Sequence, residues 1–458
     1  MAEWAVRKLS YSPSWRELCG MSRLLLEADP ALQRKIILEA EKAVYGDSGL
    51  ETSEAAEVSL LRSLARRSLA QHLCQRALRG GGLNGLRRVV CTFAFPALLA
   101  MFVLATVCQR KPPVGRSRPH LVVFFWAERL YKFIGARQFA GQSYELHRTR
   151  GVYLGAREIL FFLRTMAACP QMLCYPELLC NFVRWLGYYG YITKHYQPRK
   201  GVVHFFEGTA SSSLMTAYLH QQGLCHINIQ HGEVMFTAMS AFCHFDEIHV
   251  WGEHFREIFL SSRSPAADMR VGGTQYHRDL FRQLRTRHQP RPKRLLIIDP
   301  FMYQDPQTPY ALIKKIVERL EMGWDVRVRR HPAELRKALV WMEELNVSLK
   351  SSPKNICLEE ERPTVPIEET LGRARVVLGI ASTVLIEAWI AGCKVIHIAG
   401  GPERSVLMDR YQNSANVFYC DENTNDCDLD RFLTTPVELN DRERALVNHL
   451  TVLEEPGS

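Results

Sequence analysis

From residue 119 onward, short apolar runs alternate with longer segments whose apolar residues recur at helical spacing. This alternation predicts β-α-β units around a parallel sheet. After residue 292 the expected strands are "RLLIID", "WDVRVRR", "NICLEE", "VVLGIA" and "KVIHIAG". The expected helices between them are "TPYALIKKIVERLEM", "PAELRKALVWMEEL", "PIEETLGRA" and "STVLIEAWIAG". The last third of the chain is therefore predicted to form one α/β domain.

An earlier α/β domain is predicted by a similar rhythm. Its expected strands are "HLVVFFW", "GVVHFFEG", "CHINIQHG" and "DEIHVWG". Its expected helices are "GAREILFFLRTMAA" and "PELLCNFVRWLGYYGYITKHY". The polar, Pro-containing segment "RTRHQPRP" separates the two domains, so we expect Rossmann-like domains over residues 119–288 and 289–458. In open sheets of this kind, ligands bind beyond the carboxyl ends of the strands, and residues there are the functional candidates.

Residues 1–118 are expected to form a helical accessory region, because apolar residues recur there at helical spacing. The Gly-rich run "RGGGLNGLRR" is expected to break that pattern. The segment that follows, residues 89–108, carries no charge and has about the 20 residues needed to cross a bilayer. Pro96 predicts a kink. Three arrangements stay open for it: a membrane-embedded segment, interfacial association with anionic lipid, or a buried helix between domains.

Composition narrows the class of protein. With 47% hydrophobic and 23% charged residues, the chain is expected to be globular. The net charge of +10 and pI near 9.0 suit an anionic partner, whether nucleic acid, a membrane surface or a phosphate-bearing substrate. The 13 cysteines include no CxxC pair, and the first residues do not resemble a signal peptide, so we expect the cytoplasmic face of a membrane.

Candidate anion-binding residues follow the strand "WDVRVRR". Arg329, Arg330 and His331 come where this strand stops, and Pro332 begins the next expected helix. Two cations and an imidazole beside a helix N-terminus suit a phosphate. The alternative is that His331 only caps the helix while the arginines are solvated.

A second candidate pair follows the strand "VVLGIA". Ser382 and Thr383 open a helix, where hydroxyl and N–H groups favour a phosphate. Glu387, one turn further along, is placed to reach ribose hydroxyls. The alternatives are an ordinary N-cap for the pair and an exposed helical carboxylate for Glu387.

Two candidate bases end strands of the first domain. Glu207 follows "GVVHFF", and His231 follows "CHINIQ". Either side chain is able to take a proton from an acceptor hydroxyl. The alternatives are a capping role for Glu207 and a backbone-bonded turn position for His231.

The sequence lacks the motifs that are typical of several common chemistries. There is no HExxH sequence and no Cys/His cluster at zinc spacing, so no metal is expected. GxxxxGK[ST] and GxGxxG loops are absent from the sequence, and no cofactor is expected beyond a nucleotide-activated co-substrate. Basic residues are not interleaved with aromatic residues in one stripe, which disfavours nucleic acid as a partner.

The combination of Glu207-Gly208, His331-Pro332 and Ser382-Thr383, in that order, resembles the bacterial sialyltransferases and Kdo transferases of the GT-B class. These enzymes use CMP-activated sugars. The resemblance implies two Rossmann-like domains, a donor phosphate held by His331 and Ser382-Thr383, and Glu207 as base. Phe206 departs from the family pattern, which has a second acidic residue there. The pair His231-Gly232 is similar to the catalytic His-Gly of CDP-glycerol-type polyol-phosphate transferases, which would make His231 the base.

The function implied is inverting, metal-independent transfer of a sugar from a nucleotide-activated donor, CMP above others, to a membrane-associated glycan or lipid-linked acceptor in surface polysaccharide or capsule synthesis. Three alternatives remain: a CDP-glycerol or CDP-ribitol-type transferase, a UDP-sugar 2-epimerase, and a non-catalytic membrane scaffold. Nucleotide binding separates the scaffold from the enzymes.

Overall fold

The computed structural model divides the chain into two compact units, which meet in the sequence at Gly272 and Gly273. The described residues are 30–453 except 51–58, 79–80, 109–117, 126–141, 149–150, 206, 231, 233–237, 266–268, 286–290, 299–306, 331–339, 350–353, 355, 363, 381, 399–410, 412 and 439. Each unit contains one six-stranded sheet, and every strand pair in both sheets is parallel. The prediction of two α/β Rossmann-like domains is therefore confirmed.

The first unit holds the sheet with strand order β2-β1-β3-β4-β5-β6. Its strands are β1 (Leu121–Phe125), β2 (Tyr144–Arg148), β3 (Gly201–His204), β4 (Cys225–Ile229), β5 (Glu247–Val250) and β6 (Met269–Val271). The central strands β3 and β4 are almost wholly buried, as parallel strands covered on both faces are. The two candidate bases, Glu207 and His231, follow these two strands in the sequence.

Seven helices in the described part of the first unit surround this sheet. They are α1 (Pro30–Tyr45), α2 (Leu60–Leu78), α3 (Gly81–Cys108), α4 (Ala156–Ala168), α5 (Pro176–His195), α6 (Ser212–His220) and α7 (Glu253–Ser261). Helix α5 shows why such segments fold: Pro176 stands in its first turn and Lys194 and His195 in its last, where ring geometry and the helix dipole favour them. Helix α2 shares one hydrophobic core with α5 and α6, so this N-terminal helix is part of the unit's core.

The Gly-rich run, residues 79–88, follows the end of α2 at Leu78. Residues 79–80 lie outside the described part, and the rest of the run is helical from Gly81 onward, where an irregular segment was expected. Helix α3 begins at Gly81 and continues without a break through Pro96 to Cys108. Packing against α5 outweighs the low helix propensity of the glycines, because most helical stability in proteins comes from tertiary contact. Of the three arrangements left open for residues 89–108, the wholly buried helix is wrong, since Phe93 is 79% and Leu104 63% exposed. Within the described part of the chain, no helix is both long enough and apolar enough to span a membrane.

The second unit holds the sheet with strand order β12-β11-β10-β7-β8-β9. Its strands are β7 (Arg294–Ile298), β8 (Asp325–Arg329), β9 (Leu358–Glu360), β10 (Val376–Gly379), β11 (Lys394–Ile398) and β12 (Val417–Cys420). Counted within the unit this is 3-2-1-4-5-6, the order of a doubly wound Rossmann sheet. The topological switch point lies between β7 and β10, and a ligand crevice is expected at their carboxyl ends.

The helices of the second unit cover both faces of that sheet. They are α8 (Gln275–Leu280), α9 (Gln307–Arg319), α10 (Val340–Leu349), α11 (Ile367–Arg373), α12 (Thr383–Ile390), α13 (Asp426–Thr434) and α14 (Asp441–Leu450). Helix α12 packs closely at the switch point, where a Cβ on Gly379 would lie 3.2 Å from Ile298 and 3.3 Å from Leu385. A glycine at this position lets β10 and α12 approach β7.

Candidate functional site

Glu207 lies just beyond the carboxyl end of β3 and is 4% exposed. Its Oε1 accepts a hydrogen bond of 2.9 Å from Nδ2 of Asn228, which is itself buried on the neighbouring strand β4. The pairing of β3 with β4 aligns His204 with Asn228 and so brings the amide beside the carboxylate. A buried carboxylate held by a neutral amide is a suitable proton acceptor, because the amide orients the oxygen without supplying a positive charge.

Helix α2 fixes the backbone at this strand end. Gln71 donates from Nε2 to the carbonyl oxygen of Glu207 at 3.0 Å, and Gln75 donates to that of Gly208 at 2.6 Å. The two glutamines are four residues apart and therefore lie on one face of α2. Both side chains are buried, so losing either amide would leave a carbonyl without its partner. The N-terminal helical region thus has a positioning role that its sequence pattern did not indicate.

His231 lies outside the described residues, and its role as base stays a prediction. The residues on either side of it are described. Gln230 accepts a hydrogen bond at Oε1 from the Trp251 backbone and at its own carbonyl from the Trp251 indole, at 3.0 and 2.9 Å. Its Nε2 donates to the carbonyl of Gly232 at 2.9 Å. This fully buried glutamine therefore ties the end of β4 to β5 and to the turn.

Arg329 is the last residue of β8 in the second unit and is half-buried. Its guanidinium donates to Oγ1 of Thr370 and to the carbonyl of Val365, each at 3.0 Å. These bonds hold the guanidinium against the start of α11 at the carboxyl edge of the sheet. Arg330, the next residue, pairs with the Glu360 carboxylate at 2.6 Å. Arg330 therefore forms an ion pair, and the alternative that this arginine is simply solvated is wrong.

Ser382 is the N-cap of α12, directly after β10. Its Oγ accepts from the Val384 N–H at 3.2 Å, and its carbonyl accepts from Leu385. The ordinary N-cap alternative is thus confirmed for the hydroxyl of Ser382. Thr383 is the first helical residue and is half-buried. The N-terminus of α12 still lies at the topological switch point, where its dipole favours an anion.

Glu387 is only 2% exposed, so the alternative of an exposed helical carboxylate is wrong. Helix α12 is apolar through most of its length and is buried from Leu385 onward, which carries Glu387 inward. Its Oε2 accepts a hydrogen bond of 3.1 Å from the hydroxyl of Tyr276 on α8. The carboxylate of Glu368 on α11 is also close enough to influence this hydroxyl. Burial and the two neighbouring carboxylates raise the pKa of Tyr276, which keeps its hydroxyl protonated and able to donate.

The charges at this edge of the second sheet interact. Burial lowers the pKa of Arg329, while the carboxylates of Glu361, Glu368 and Glu387 oppose that shift. Arg329 stays charged at neutral pH because a guanidinium does not titrate there. One cation, several carboxylates and one phenol thus lie within electrostatic range of each other. We call Arg329, Glu368, Glu387 and Tyr276 the charged cluster.

The structure brings some predicted residues together and leaves others untested. In the second unit, Arg329 and Glu387 interact within the charged cluster, and Ser382 opens the helix that carries Glu387. His331 and Pro332 lie outside the described residues, and their phosphate-binding role stays a prediction. Sequence reasoning missed Tyr276 and Glu368. Glu368 stood in a predicted helix at a strand's end, which offered a signal, whereas nothing in the sequence ties Tyr276 to Glu387.

Over the residues with described positions, no three His, Cys, Asp or Glu side chains are grouped so as to hold a metal ion.

No protein-family model matches the chain, and no curated protein is similar to it in sequence. Among solved structures it is similar to the UDP-GlcNAc 2-epimerase from Methanocaldococcus jannaschii, with 12% identity and a TM-score of 0.46 over 73% of this chain and 97% of that one. It is also similar to a glycosyltransferase from Rickettsia africae, with 11% identity and a TM-score of 0.42 over 72% and 94%. A further likeness is to MurG from Acinetobacter baumannii, with 12% identity and a TM-score of 0.37 over 69% and 89%.

Proposed function

We propose that this protein is a glycosyltransferase that takes a sugar from a nucleotide-activated donor and passes it to a hydroxyl acceptor. The observation that carries the proposal is the charged cluster, which lies at the carboxyl edge of a sheet with the strand order of a Rossmann fold. Arg329 supplies a fixed positive charge there, and the buried Glu387 carboxylate accepts hydrogen bonds from hydroxyl groups. A nucleotide sugar presents both complements, a charged phosphate and the hydroxyls of its ribose.

The second unit would bind the donor. Its phosphate would lie against Arg329 and the N-terminus of α12, with His331 contributing as the motif resemblance implies. The ribose hydroxyls would donate to Glu387 in place of Tyr276. A helix N-terminus and a guanidinium stabilise the negative charge that develops on the departing phosphate, which is the role that a divalent metal has in other transferases. The proposed mechanism is therefore metal-independent.

The first unit would bind the acceptor. Glu207, or His231 in its place, would take the proton of the acceptor hydroxyl as that oxygen forms its bond to the anomeric carbon. The bond from that carbon to the phosphate oxygen breaks in the same step, and the nucleotide leaves with the electron pair. Displacement of this kind inverts the anomeric configuration. CMP-activated sugars are the first donors to test, because the short motifs of this chain resemble those of CMP-sugar enzymes.

The test is nucleotide-dependent thermal stabilisation of the wild-type protein and of Arg329→Met. CMP, CDP, UMP, UDP, GDP and ADP would be compared at equal concentrations. We expect the melting temperature to rise with one nucleotide family, because a ligand that binds only the folded state stabilises it. Arg329→Met should weaken that nucleotide's affinity by roughly tenfold or more, the effect of one charge-assisted contact.

Arg327→Met is the matched control. Arg327 lies two residues earlier on β8 and pairs with Asp325 and Glu359 away from the strand's carboxyl end. This variant loses the same charge but should keep the nucleotide shift. A shift with UDP alone would redirect the proposal to a UDP-sugar enzyme, and products formed without any acceptor would identify a 2-epimerase. A CDP shift with polyol-phosphate transfer would favour the CDP-glycerol type, and no shift with any nucleotide would favour a scaffold.

A further inference from the structure

Helix α3 presents a long apolar face to solvent. The large side chains on it are 53% to 79% exposed: Val89, Val90, Phe93, Met101 and Leu104. Helix α4 adds Ile159, Leu160 and Leu163, which are 37%, 47% and 56% exposed. The two helices meet where the rings of Phe95 and Phe162 stack with centroids 6.0 Å apart. We call these eight exposed side chains the apolar face.

The opposite side of α3 is attached to the protein near both of its ends. Towards the start, the Cys180 thiol approaches the carbonyl of Cys91 at 3.6 Å. Towards the end, the Leu154 N–H donates to Oγ1 of Thr106 at 2.7 Å. Between them, Phe102 is 5% exposed and lies where a Cβ on Gly187 would be 2.9 Å from its ring. Helix α3 therefore lies along the surface of the first unit for four turns, with one side packed and the other apolar and open.

Among the described residues of α3 and α4, the exposed charged side chains are all basic. Helix α3 contains no acidic residue, and residues 89–108 contain no charge at all. Arg88 and Arg164 are exposed beside the apolar side chains. The only acidic residue of α4 is Glu158, which is 1% exposed and bonded to Tyr218. An apolar strip that is bordered by arginines, and whose two helices expose no carboxylate over their described residues, complements an anionic lipid surface.

We propose that the apolar face of α3 and α4 docks on an anionic lipid bilayer, with α3 parallel to the membrane plane. The apolar side chains would enter the boundary between head groups and acyl chains, while Arg88 and Arg164 would contact lipid phosphates. A helix fastened to the protein at both ends enters the bilayer only sideways, so the segment is an interfacial anchor. Docking would bring the proposed transferase to a lipid-linked acceptor; only that consequence rests on the proposed function.

The test is co-sedimentation of the full chain with vesicles of phosphatidylcholine, alone and with about a quarter phosphatidylglycerol. We expect the protein to bind the mixed vesicles at least about tenfold more tightly than the neutral ones, and added salt to weaken binding. The double variant Phe93→Glu/Leu104→Glu should lose binding to the mixed vesicles. Both side chains are exposed, so circular dichroism should match that of the wild type.

The matched control is Met322→Glu/Val347→Glu. These side chains are 70% and 65% exposed in the second unit, and replacing them adds the same charge. The control should bind vesicles as the wild type does. Wild type left in the supernatant, or equal binding by both double variants, would overturn the proposal. So would a wild-type dimer that becomes a monomer in Phe93→Glu/Leu104→Glu without vesicle binding, because the occupant would then be a second copy. The nucleotide-dependent thermal shift should survive in Phe93→Glu/Leu104→Glu, which separates failure of docking from failure of the proposed function.

Discussion

The two sheets end differently at their carboxyl edges. In the first unit, Glu207 is oriented by the neutral amide of Asn228, and its backbone by that of Gln71. In the second unit, Arg329, Glu368 and Glu387 gather around one phenol. Neutral amides orient a carboxylate while leaving its charge for chemistry, whereas mixed charges match a ligand that carries phosphate and hydroxyl groups. Similar architectures thus offer one edge suited to proton transfer and one suited to binding.

The largest effect on this comparison is expected from Glu207→Gln. Glutamine keeps a carbonyl oxygen for the Asn228 amide but is not a base, so the transfer rate should fall roughly 10²- to 10⁴-fold. Nucleotide affinity should not change, because the donor is assigned to the other unit. The measurement is product formation over time, with the donor whose nucleotide raises the melting temperature.

Glu257→Gln is the control for that experiment, because Glu257 is an exposed carboxylate on α7 of the same unit. It should transfer sugar at the wild-type rate. If Glu207→Gln also keeps the wild-type rate, the base is not Glu207, and His231→Ala becomes the decisive variant.

A buried histidine in each sheet extends the comparison to pH. His226 on β4 is hydrogen-bonded to Tyr189 and Thr216, at 2.7 and 2.8 Å, and burial lowers its pKa well below the ordinary value. His397 on β11 is 1% exposed, and burial lowers its pKa to about 4. A histidine of lowered pKa is neutral in the folded state, so the unfolded state binds its proton first as the pH falls. Stability is therefore lost between about pH 6.5 and pH 4.

His397→Phe should remove that contribution while retaining a ring beside Tyr419. Between pH 7 and pH 5 the wild type should lose about 2 kcal/mol more of its unfolding free energy than the variant. Urea unfolding at the two pH values measures this difference. Equal losses in the two proteins would mean that His397 does not stay neutral in the folded state.

Most of the fold was predictable because its central strands are buried on both faces. Apolar runs such as those of β7 and β10 leave a clear signal in the sequence. The missed strands β2, β6 and β12 lie at or beside the sheet edges and are short or partly exposed, as Tyr144 at 47% shows. Such strands bury too little surface to need an apolar run. The Gly-rich start of α3 was missed for a related reason, since its helix depends on contact with α5.

Residues of the candidate site were predictable only where they lie at the carboxyl end of a predicted strand. Arg329 and Glu207 were found in this way, because the chain places them at the carboxyl edge. Tyr276, Gln71 and Gln75 reach the same edges from helices distant in sequence, at separations of 111, 136 and 133 residues from their partners. Their contribution is a tertiary contact, and no local pattern encodes it.

The smallest expected effect concerns Glu387, and it tests whether the charged cluster recognises the ribose of the nucleotide. Glu387→Gln should reduce the preference for a ribonucleotide over its 2′-deoxy analogue by about tenfold, the equivalent of one charge-assisted hydrogen bond. Isothermal titration with both nucleotides measures the ratio. Glu369→Gln is the control, because Glu369 is on α11 beside Glu368 but pairs with Arg373 in solvent.

Tyr276→Phe separates two ways in which the ribose could bind. If the ribose displaces the phenol from Glu387, removal of the hydroxyl should tighten ribonucleotide binding. If Tyr276 itself contacts the ribose, the same substitution should weaken ribonucleotide binding. An unchanged ratio in Glu387→Gln would reduce this carboxylate to a partner of Tyr276, and the second sheet would then bind phosphate without recognising the sugar beside it.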